Sequence, residues 1–481
     1  MKLPDGPNVV LLVIDSLRPD HLSCYGYSKQ TSPNIDNLAH NSVVFEDAIS
    51  PSAWTRPVFA SILTGTYPSK NGVYSGFVGK SSSRTQYVDR FPTIMEILRP
   101  YGYRSFGVTD SFLVNLFPPE FDRFIGLNFP SAAKMMVLEN RAALRKFIDL
   151  LWQRKSVLNL SSSGASFLKN MTAKTWVDGN YARGPFFMLI HHSVHWPFEP
   201  PDPFYSSFLD ESLKRQVGSI RRDVYELIAQ QDLSRHTEVL KALYDAQIAW
   251  VDACVADLLD HLKSLGIFEN TLVVITADHG ELLGEHGLLF HQFVLYEPLI
   301  KVPFIVKFPD LYNNGKRYSG LVQTVDILPT VLDYLKLEWR DVSRELQGKS
   351  LLKLVEKEDE REFTISERSD WSPRFSAKRI AELEQKYPKF DWEKYVHEIV
   401  AIRTKDYKYI WSSEGRDELY DLAHDPEETN NTISNQTEKA RELRDKMESW
   451  KHSFVPAEQF VLERELEGSV KKRLRKLGYL E

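Results

Sequence analysis

Two short segments of this 481-residue chain place a carboxylate at the end of an apolar run. Asp15–Ser16 follows Asn8–Val9–Val10–Leu11–Leu12–Val13–Ile14, and Asp278–His279–Gly280–Glu281 follows Thr271–Thr276, with His286 and His291 beyond it. Continuous apolar runs of this length read as buried parallel strands. In open α/β sheets ligands bind outside the carboxyl ends of the strands, so both segments aim acidic groups at one crevice. A hard carboxylate beside an imidazole suits Mn²⁺, Zn²⁺ or Ca²⁺. Asp15 alone would as readily cap the next turn. The Asp278–His279 pair, followed by Gly280, Gly284 and Gly287, is far more specific.

Two further segments carry chemistry. In Ala53–Trp54–Thr55–Arg56–Pro57–Val58–Phe59 a hydroxyl precedes a proline and a helix-like apolar run. Thr55 would stand at the positive end of that helix, either as its cap or beside a bound phosphate or sulfate. His191–His192–Ser193–Val194–His195 ends another apolar run with three imidazoles. Singly each is more often a structural hydrogen bonder, but three at one strand end suggest a site.

The elements that must position these groups alternate along the first two thirds of the chain. Strands are expected at Val9–Ile14, Ser105–Val108, Phe186–His191, Thr271–Thr276 and Phe304–Val306, and a helix at Glu238–Leu265 that stops at Gly266. This is the α/β pattern of a sheet covered by helices on both faces. A boundary near residue 345 divides a catalytic domain, 1–345, from a C-terminal subdomain, 346–481. The subdomain is expected to hold strands at Ile399–Arg403 and Tyr407–Trp411, an amphipathic helix at Thr437–Trp450 and a basic tail, with five basic residues in six at Lys471–Lys476. Ala132–Arg154 reads as a packed helix rather than a lid.

Net charge −6, from 60 basic and 66 acidic residues, gives no field for drawing the chain onto nucleic acid. No run is long enough to span a bilayer and no leader pattern is seen, so a cytoplasmic protein is expected. Two cysteines, Cys24 and Cys254, cannot build a disulfide framework or a thiolate metal cage. No pattern specifies an oligomer.

The four segments, in this order, resemble the sulfatase family of the alkaline phosphatase superfamily. Asp15–Ser16–Leu17–Arg18–Pro19–Asp20, Ser32–Pro33–Asn34–Ile35–Asp36 and Leu63–Thr64–Gly65–Thr66–Tyr67–Pro68 look like its early landmarks. Asp326–Ile327–Leu328–Pro329–Thr330, Gln347–Gly348–Lys349–Ser350–Leu351 and Glu418–Leu419–Tyr420–Asp421–Leu422 are similar to its later ones. The resemblance covers nearly the whole chain. It implies a large mixed, mostly parallel sheet sandwiched between helices, a smaller C-terminal α+β subdomain, and hydrolysis of a small-molecule phosphate or sulfate ester.

The pattern departs where the chemistry is decided. The family carries Cys-x-Pro-x-Arg at its nucleophile, and the cysteine, sometimes a serine, becomes formylglycine. The same register here reads Thr55–Arg56–Pro57–Val58–Phe59, so neither formylglycine nor the arginine is available. His291 stands at the family's active-site lysine, and Thr109–Asp110–Ser111 replaces its Gly-Lys-Trp-His segment. The hydrated aldehyde releases sulfate by carbon–oxygen cleavage, whereas an alcohol must be resolved by attack at phosphorus or sulfur. The resemblance therefore implies a threonine nucleophile and phosphoryl transfer, on a phosphodiester or phosphonate ester. The alternatives are a sulfuric ester hydrolase working without formylglycine and a metal-binding pseudoenzyme scaffold. One divalent ion, Mn²⁺ in preference to Zn²⁺ or Ca²⁺, would be held by Asp15, Asp278, His279 and Thr55. His195 and His291 would join Thr55 in catalysis, with Arg56, His192 and Thr109 against the substrate. Ser16 takes the place of a further metal carboxylate, which points to a one-metal site.

Overall fold

The structure, a computed structural model, describes residues 6–74, 91–110, 121–126, 162–218, 220, 224–229, 233–291, 294–310, 312–337, 345–357, 359–368 and 377–456. Ala132–Arg154 and Lys471–Lys476 lie outside them. The ten described strands of the first 337 residues are β1 (Asn8–Asp15), β2 (Val43–Ile49), β3 (Arg104–Thr109), β4 (Arg123–Gly126), β5 (Phe186–Ser193), β6 (Thr271–Thr276), the short pair β7 (Leu282–Leu283) and β8 (Leu289–Phe290), β9 (Lys301–Lys307) and β10 (Arg317–Gln323).

Eight of these form one sheet in the order β10-β2-β9-β6-β1-β5-β3-β4. β9 runs antiparallel to both neighbours, and the other pairings are parallel. The sheet is thus mixed and mostly parallel, with flanking helices. β1 lies at its centre, and all eight of its residues are buried, which is why its sequence is continuously rather than alternately apolar. Strand-to-strand crossovers run through helices that cover the sheet: α1 (Pro33–His40), α2 (Thr55–Thr64), α3 (Ser162–Asn180) and α4 (Thr237–Ser264). α4 ends before Gly266, whose φ of +70° supplies the left-handed stop. Among the described residues no helix is long and apolar enough to cross a membrane.

The small antiparallel sheet is β11 (Thr364–Arg368), β12 (Ile399–Arg403), β13 (Tyr407–Ser412) and β14 (Glu418–Asp421), in that order. α5 (Thr437–Lys451) lays Ala440, Leu443 and Met447 on it, in one apolar cluster with Ile365, Val400, Ile402, Tyr409 and Leu419. β11 also reaches the large domain. Glu367 N–H donates to Pro51 O at 2.9 Å, Ser52 Oγ to Glu367 O at 2.7 Å, and Ser366 Oγ to Ser50 O at 2.6 Å. The loop that leads into α2 is therefore braced by the small sheet.

Candidate metal centre and active site

The parallel register decides which side chains meet. β1 is flanked by β5, with Val13 opposite His191 and Asp15 opposite Ser193, and by β6, with Val13 opposite Thr276. Side chains alternate along a strand, so His191 shares the face of Val13 and Asp15, while His192 shares the opposite face with Ile14. β6 ends two residues before Asp278, which brings its carboxylate to the same strand ends.

Asp15, His191 and Asp278 offer ligand atoms that all lie within 4.8 Å of one another. His191 Nε2 is 3.9 Å from Asp15 Oδ2 and 4.0 Å from Asp278 Oδ2. His279 Nε2 lies 3.4 Å from Asp15 Oδ1, 3.7 Å from Asp278 Oδ2 and 3.3 Å from Thr55 Oγ1. All five residues are buried. Neither Asp278 Oδ2 nor His191 Nε2 has a hydrogen-bond partner among the described residues. An unpartnered buried carboxylate oxygen beside an unpartnered imidazole nitrogen is costly unless a cation joins them. Burial, then repulsion from Asp278, pushes the Asp15 carboxyl well above its ordinary range. Burial holds His191 down at about 4, so its imidazole is neutral.

The surrounding backbone is built to hold this cluster. Ser16 adopts a left-handed φ of 64°, an expensive conformation for a residue with a Cβ. Its N–H points to Asp278 Oδ1 at 3.4 Å and its Oγ donates to Asp15 Oδ1 at 3.2 Å. Tyr244 of α4 locks the turn, donating to Ser16 O at 2.6 Å while accepting from Arg18 N–H at 2.9 Å. A Cβ on Gly280 would fall 2.0 Å from Pro298 O, so the turn after His279 closes only on glycine. Arg18 Nη1 fixes the next carbonyl, donating to Glu281 O at 3.0 Å.

Thr55 opens α2 with Trp54 as its cap residue, in extended conformation, and Pro57 falls in the first turn, where no backbone donor is needed. Every residue of α2 is buried. Phe59, at the register of the family's arginine, sets its ring against His191 with centroids 4.8 Å apart and planes at 75°.

Three imidazoles share one arrangement, in which Nδ1 meets a backbone carbonyl. His279 Nδ1 is 2.9 Å from Gly280 O, His291 Nδ1 3.1 Å from Ala53 O, and His195 Nδ1 2.5 Å from Trp196 O. A carbonyl only accepts, so each Nδ1 carries the proton and each Nε2 is turned inward. His195 Nε2 and His291 Nε2 then stand 2.8 Å apart, a separation that calls for a proton between them. The His291 ring stacks on His279, with centroids 4.2 Å apart. A hydroxyl beside a carboxylate–imidazole nest, with a proton-sharing imidazole pair next to it, is the equipment for metal-assisted displacement at phosphorus or sulfur.

The family pattern named "Sulfatase" matches residues 7–337. The chain belongs to the sulfatase family. A second pattern, the C-terminal region of N-sulphoglucosamine sulphohydrolase, matches residues 284–453. An N-acetylglucosamine-6-O-sulfatase of Bacteroides thetaiotaomicron is 24% identical over 504 residues, spanning 92% of this chain and 85% of that protein. An arylsulfatase of Clostridium perfringens is 24% identical over 491 residues, spanning 90% and 92%. Among solved structures, the phosphonate monoester hydrolase of Agrobacterium radiobacter superposes with a TM-score of 0.71 at 20% identity, covering 94% of this chain and 96% of that one. The large sheet with its small antiparallel companion is thus the fold of the sulfatase family, shared with that phosphonate monoester hydrolase.

This sulfatase-family chain gathers Asp15, Thr55, Asp278, His279, His195 and His291 at one place. The three residues expected against substrate lie as follows. His192 faces the far side of the sheet, fully buried, with neither ring nitrogen hydrogen-bonded among the described residues. Thr109 is buried with its hydroxyl 2.9 Å from His191 Nδ1, behind the carboxylates. Arg56 is 3% exposed, one residue into α2. Two residues gain a place that spacing did not give them. His191 joins the carboxylates through the β1–β5 register, which no spacing within either segment encodes. Glu281 is 1% exposed, and burial raises its carboxyl to about 6.

Proposed function

We propose that this chain is a metal-dependent hydrolase that cleaves a phosphodiester or phosphonate ester through Thr55. The observation that carries the reading is Thr55 Oγ1 at 3.3 Å from His279 Nε2, where the family has a residue that becomes formylglycine. A threonine has no route to the aldehyde, so the ester formed on it must be released by attack at the central atom. That is an ordinary step for phosphorus.

The donor set fits the divalent ion of the family. Asp15, Asp278 and His279 would hold it, and the unpartnered Asp278 Oδ2 marks where charge compensation is missing. When bound, such an ion acts as a Lewis acid, lowering the pKa of a coordinated hydroxyl and neutralising charge on phosphoryl oxygens. Thr55 Oγ1, its hydroxyl proton released to solvent and regained when Thr55 later leaves, forms the bond to phosphorus as the bond to the leaving alcohol breaks. The His195–His291 pair holds one proton between its Nε2 atoms and hands it to the departing oxygen. Water then attacks the phosphothreonine, returning its proton to the imidazole pair as Thr55 leaves. Ser16 and Gly280 keep the carboxylates and His279 in register throughout. The same scaffold carries phosphonate monoester hydrolysis in the Agrobacterium radiobacter protein.

The match of residues 284–453 to a sulphohydrolase C-terminal region favours a second reading, hydrolysis of a sulfuric ester by the unmodified threonine. Parallel assays with Mn²⁺ on 4-nitrophenyl sulfate, 4-nitrophenyl phosphate, a phenylphosphonate monoester and bis(4-nitrophenyl) phosphate separate the two. Fastest turnover of the diester or phosphonate is expected. Dominant sulfate turnover that Thr55→Ala abolishes would overturn the phosphoryl-transfer reading.

A further inference from the structure

We propose that His191 is itself a ligand of the divalent ion, a fourth protein donor beside Asp15, Asp278 and His279, and that this second imidazole makes the centre select a transition metal over Ca²⁺. The inference rests on the metal-centre reading of the same site. In the family pattern the ion is met by carboxylates and by one histidine or asparagine of the Asp-His or Asp-Asn pair.

Three features of the structure point the same way. His191 Nε2 is buried, has no hydrogen-bond partner among the described residues, and stands 3.9 Å and 4.0 Å from two carboxylate oxygens. Those separations are too long for hydrogen bonds. They fall within the limit of about 4.2 Å for two donors that share one ion at bonds of about 2.1 Å.

The other ring nitrogen has the partner that ligation needs. Nδ1 lies 2.9 Å from Thr109 Oγ1, a hydroxyl able to accept its proton when the Nε2 lone pair is given to the ion. Ligating histidines are oriented in this way, through a hydrogen bond from the other ring nitrogen. The third feature is Phe59. A guanidinium at its position would set a cation against the imidazole, whereas the phenyl ring packs on it at 4.8 Å and fixes its plane. Phe59, Thr109 and His191 thus form one unit on three elements, α2, β3 and β5, with the nitrogen at its inner end.

The consequence is selectivity. Ca²⁺ takes oxygen donors, six to eight of them, while Zn²⁺ and Mn²⁺ accept imidazole readily. Two neutral nitrogens with two carboxylates favour the latter ions. The test is a count of bound nitrogens by pulsed EPR on the wild-type protein loaded with Mn²⁺, together with calorimetric titration of Mn²⁺, Zn²⁺ and Ca²⁺ into wild type, His191→Gln and Asp278→Asn. Two nitrogens are expected in wild type and one in His191→Gln. Zn²⁺ and Mn²⁺ affinity should fall by about 10-fold or more, and Ca²⁺ affinity by less than about 3-fold. One nitrogen in wild type, or unchanged Zn²⁺ affinity in His191→Gln, overturns the proposal while leaving the metal centre standing. Binding that survives Asp278→Asn undiminished, or a wild type that takes up none of the three ions, overturns the metal-centre reading itself. The nitrogen count is made on wild type, so it decides the matter whether or not the variants fold.

Discussion

Thr55 Oγ1 and His279 Nε2 lie 3.3 Å apart, one at the head of α2 and the other just past the end of β6. The contact joins elements 224 residues apart in sequence and fixes the hydroxyl beside the carboxylates. Thr55→Ala is expected to reduce kcat/KM by at least about 10³-fold, the scale of losing a nucleophile. Thr55→Ser keeps the hydroxyl and should retain activity within about 10-fold, because only a methyl that orients the rotamer is lost. Both variants should melt close to wild type. Steady-state kinetics with calorimetric melting checks this, and an active Thr55→Ala would exclude threonine as the attacking group.

The paired Nε2 atoms of His195 and His291 make a prediction that depends on the leaving group. A proton delivered to the departing oxygen matters most when that oxygen is a poor leaving group. His291→Ala is therefore expected to slow an alkyl ester by about 10² to 10⁴-fold and to slow a 4-nitrophenyl ester much less. A plot of log kcat/KM against leaving-group pKa should steepen in the variant. Equal losses across the series would assign His291 to binding rather than proton transfer.

The parts of the site readable in the sequence were those in which local chemistry and strand ends coincide. Asp15 and Asp278 end apolar runs, and the predicted Thr271–Thr276 strand agrees with the structure residue for residue. β2 and β10 were missed because their sequences break the apolar run. Glu46 and Asp47 sit inside β2, where Asp47 pairs with Lys301 of β9 and Arg403 of β12, and the outer half of β10 is polar at the sheet edge. A pairing across hundreds of residues leaves no local trace. The same holds for His191, whose meeting with Asp15 depends on a β1–β5 register that no spacing within either segment encodes. His192 was expected at the substrate for the same reason, since only the register tells which of two adjacent histidines faces the carboxylates.

Asp15 gives a stability prediction of definite sign. Burial and Asp278 raise its carboxyl above the ordinary range in the metal-free protein, so the folded state binds a proton that the unfolded state has released. The stabilisation is then present at pH below the ordinary carboxyl value and is lost as pH rises through the folded one. His191, held at about 4, has the opposite slope between there and about 6.5. Comparison with Asp15→Asn isolates the carboxylate. The metal-free variant is expected to melt higher than metal-free wild type at pH 8, with the gap closing toward pH 5, while its activity is lost. Thermal melts in chelator at several pH values test it, and an Asp15→Asn that melts lower at pH 8 would contradict the repulsion between the two carboxylates.

Glu367 carries the same logic to the brace between the two sheets. Its carboxylate accepts from Ser69 N–H at 3.0 Å, and its own N–H holds Pro51 O at 2.9 Å, four residues before Thr55. Burial raises this carboxyl to about 7 from an ordinary 4.5. Folding stability from this group is full below pH 4.5 and declines as pH rises through 7, by roughly 3 kcal/mol for a shift of that size. Glu367→Gln can still accept from Ser69 N–H and buries no charge. It is therefore expected to be more stable than wild type at pH 8 and indistinguishable from it at pH 4 in denaturant titrations. Because β11 holds the loop that delivers the nucleophile, hydrogen exchange at the Glu367 amide should quicken in wild type between those pH values beyond the intrinsic rise, and the variant should remove that excess. An amide whose excess exchange is the same in both proteins would place the titration elsewhere than at this brace.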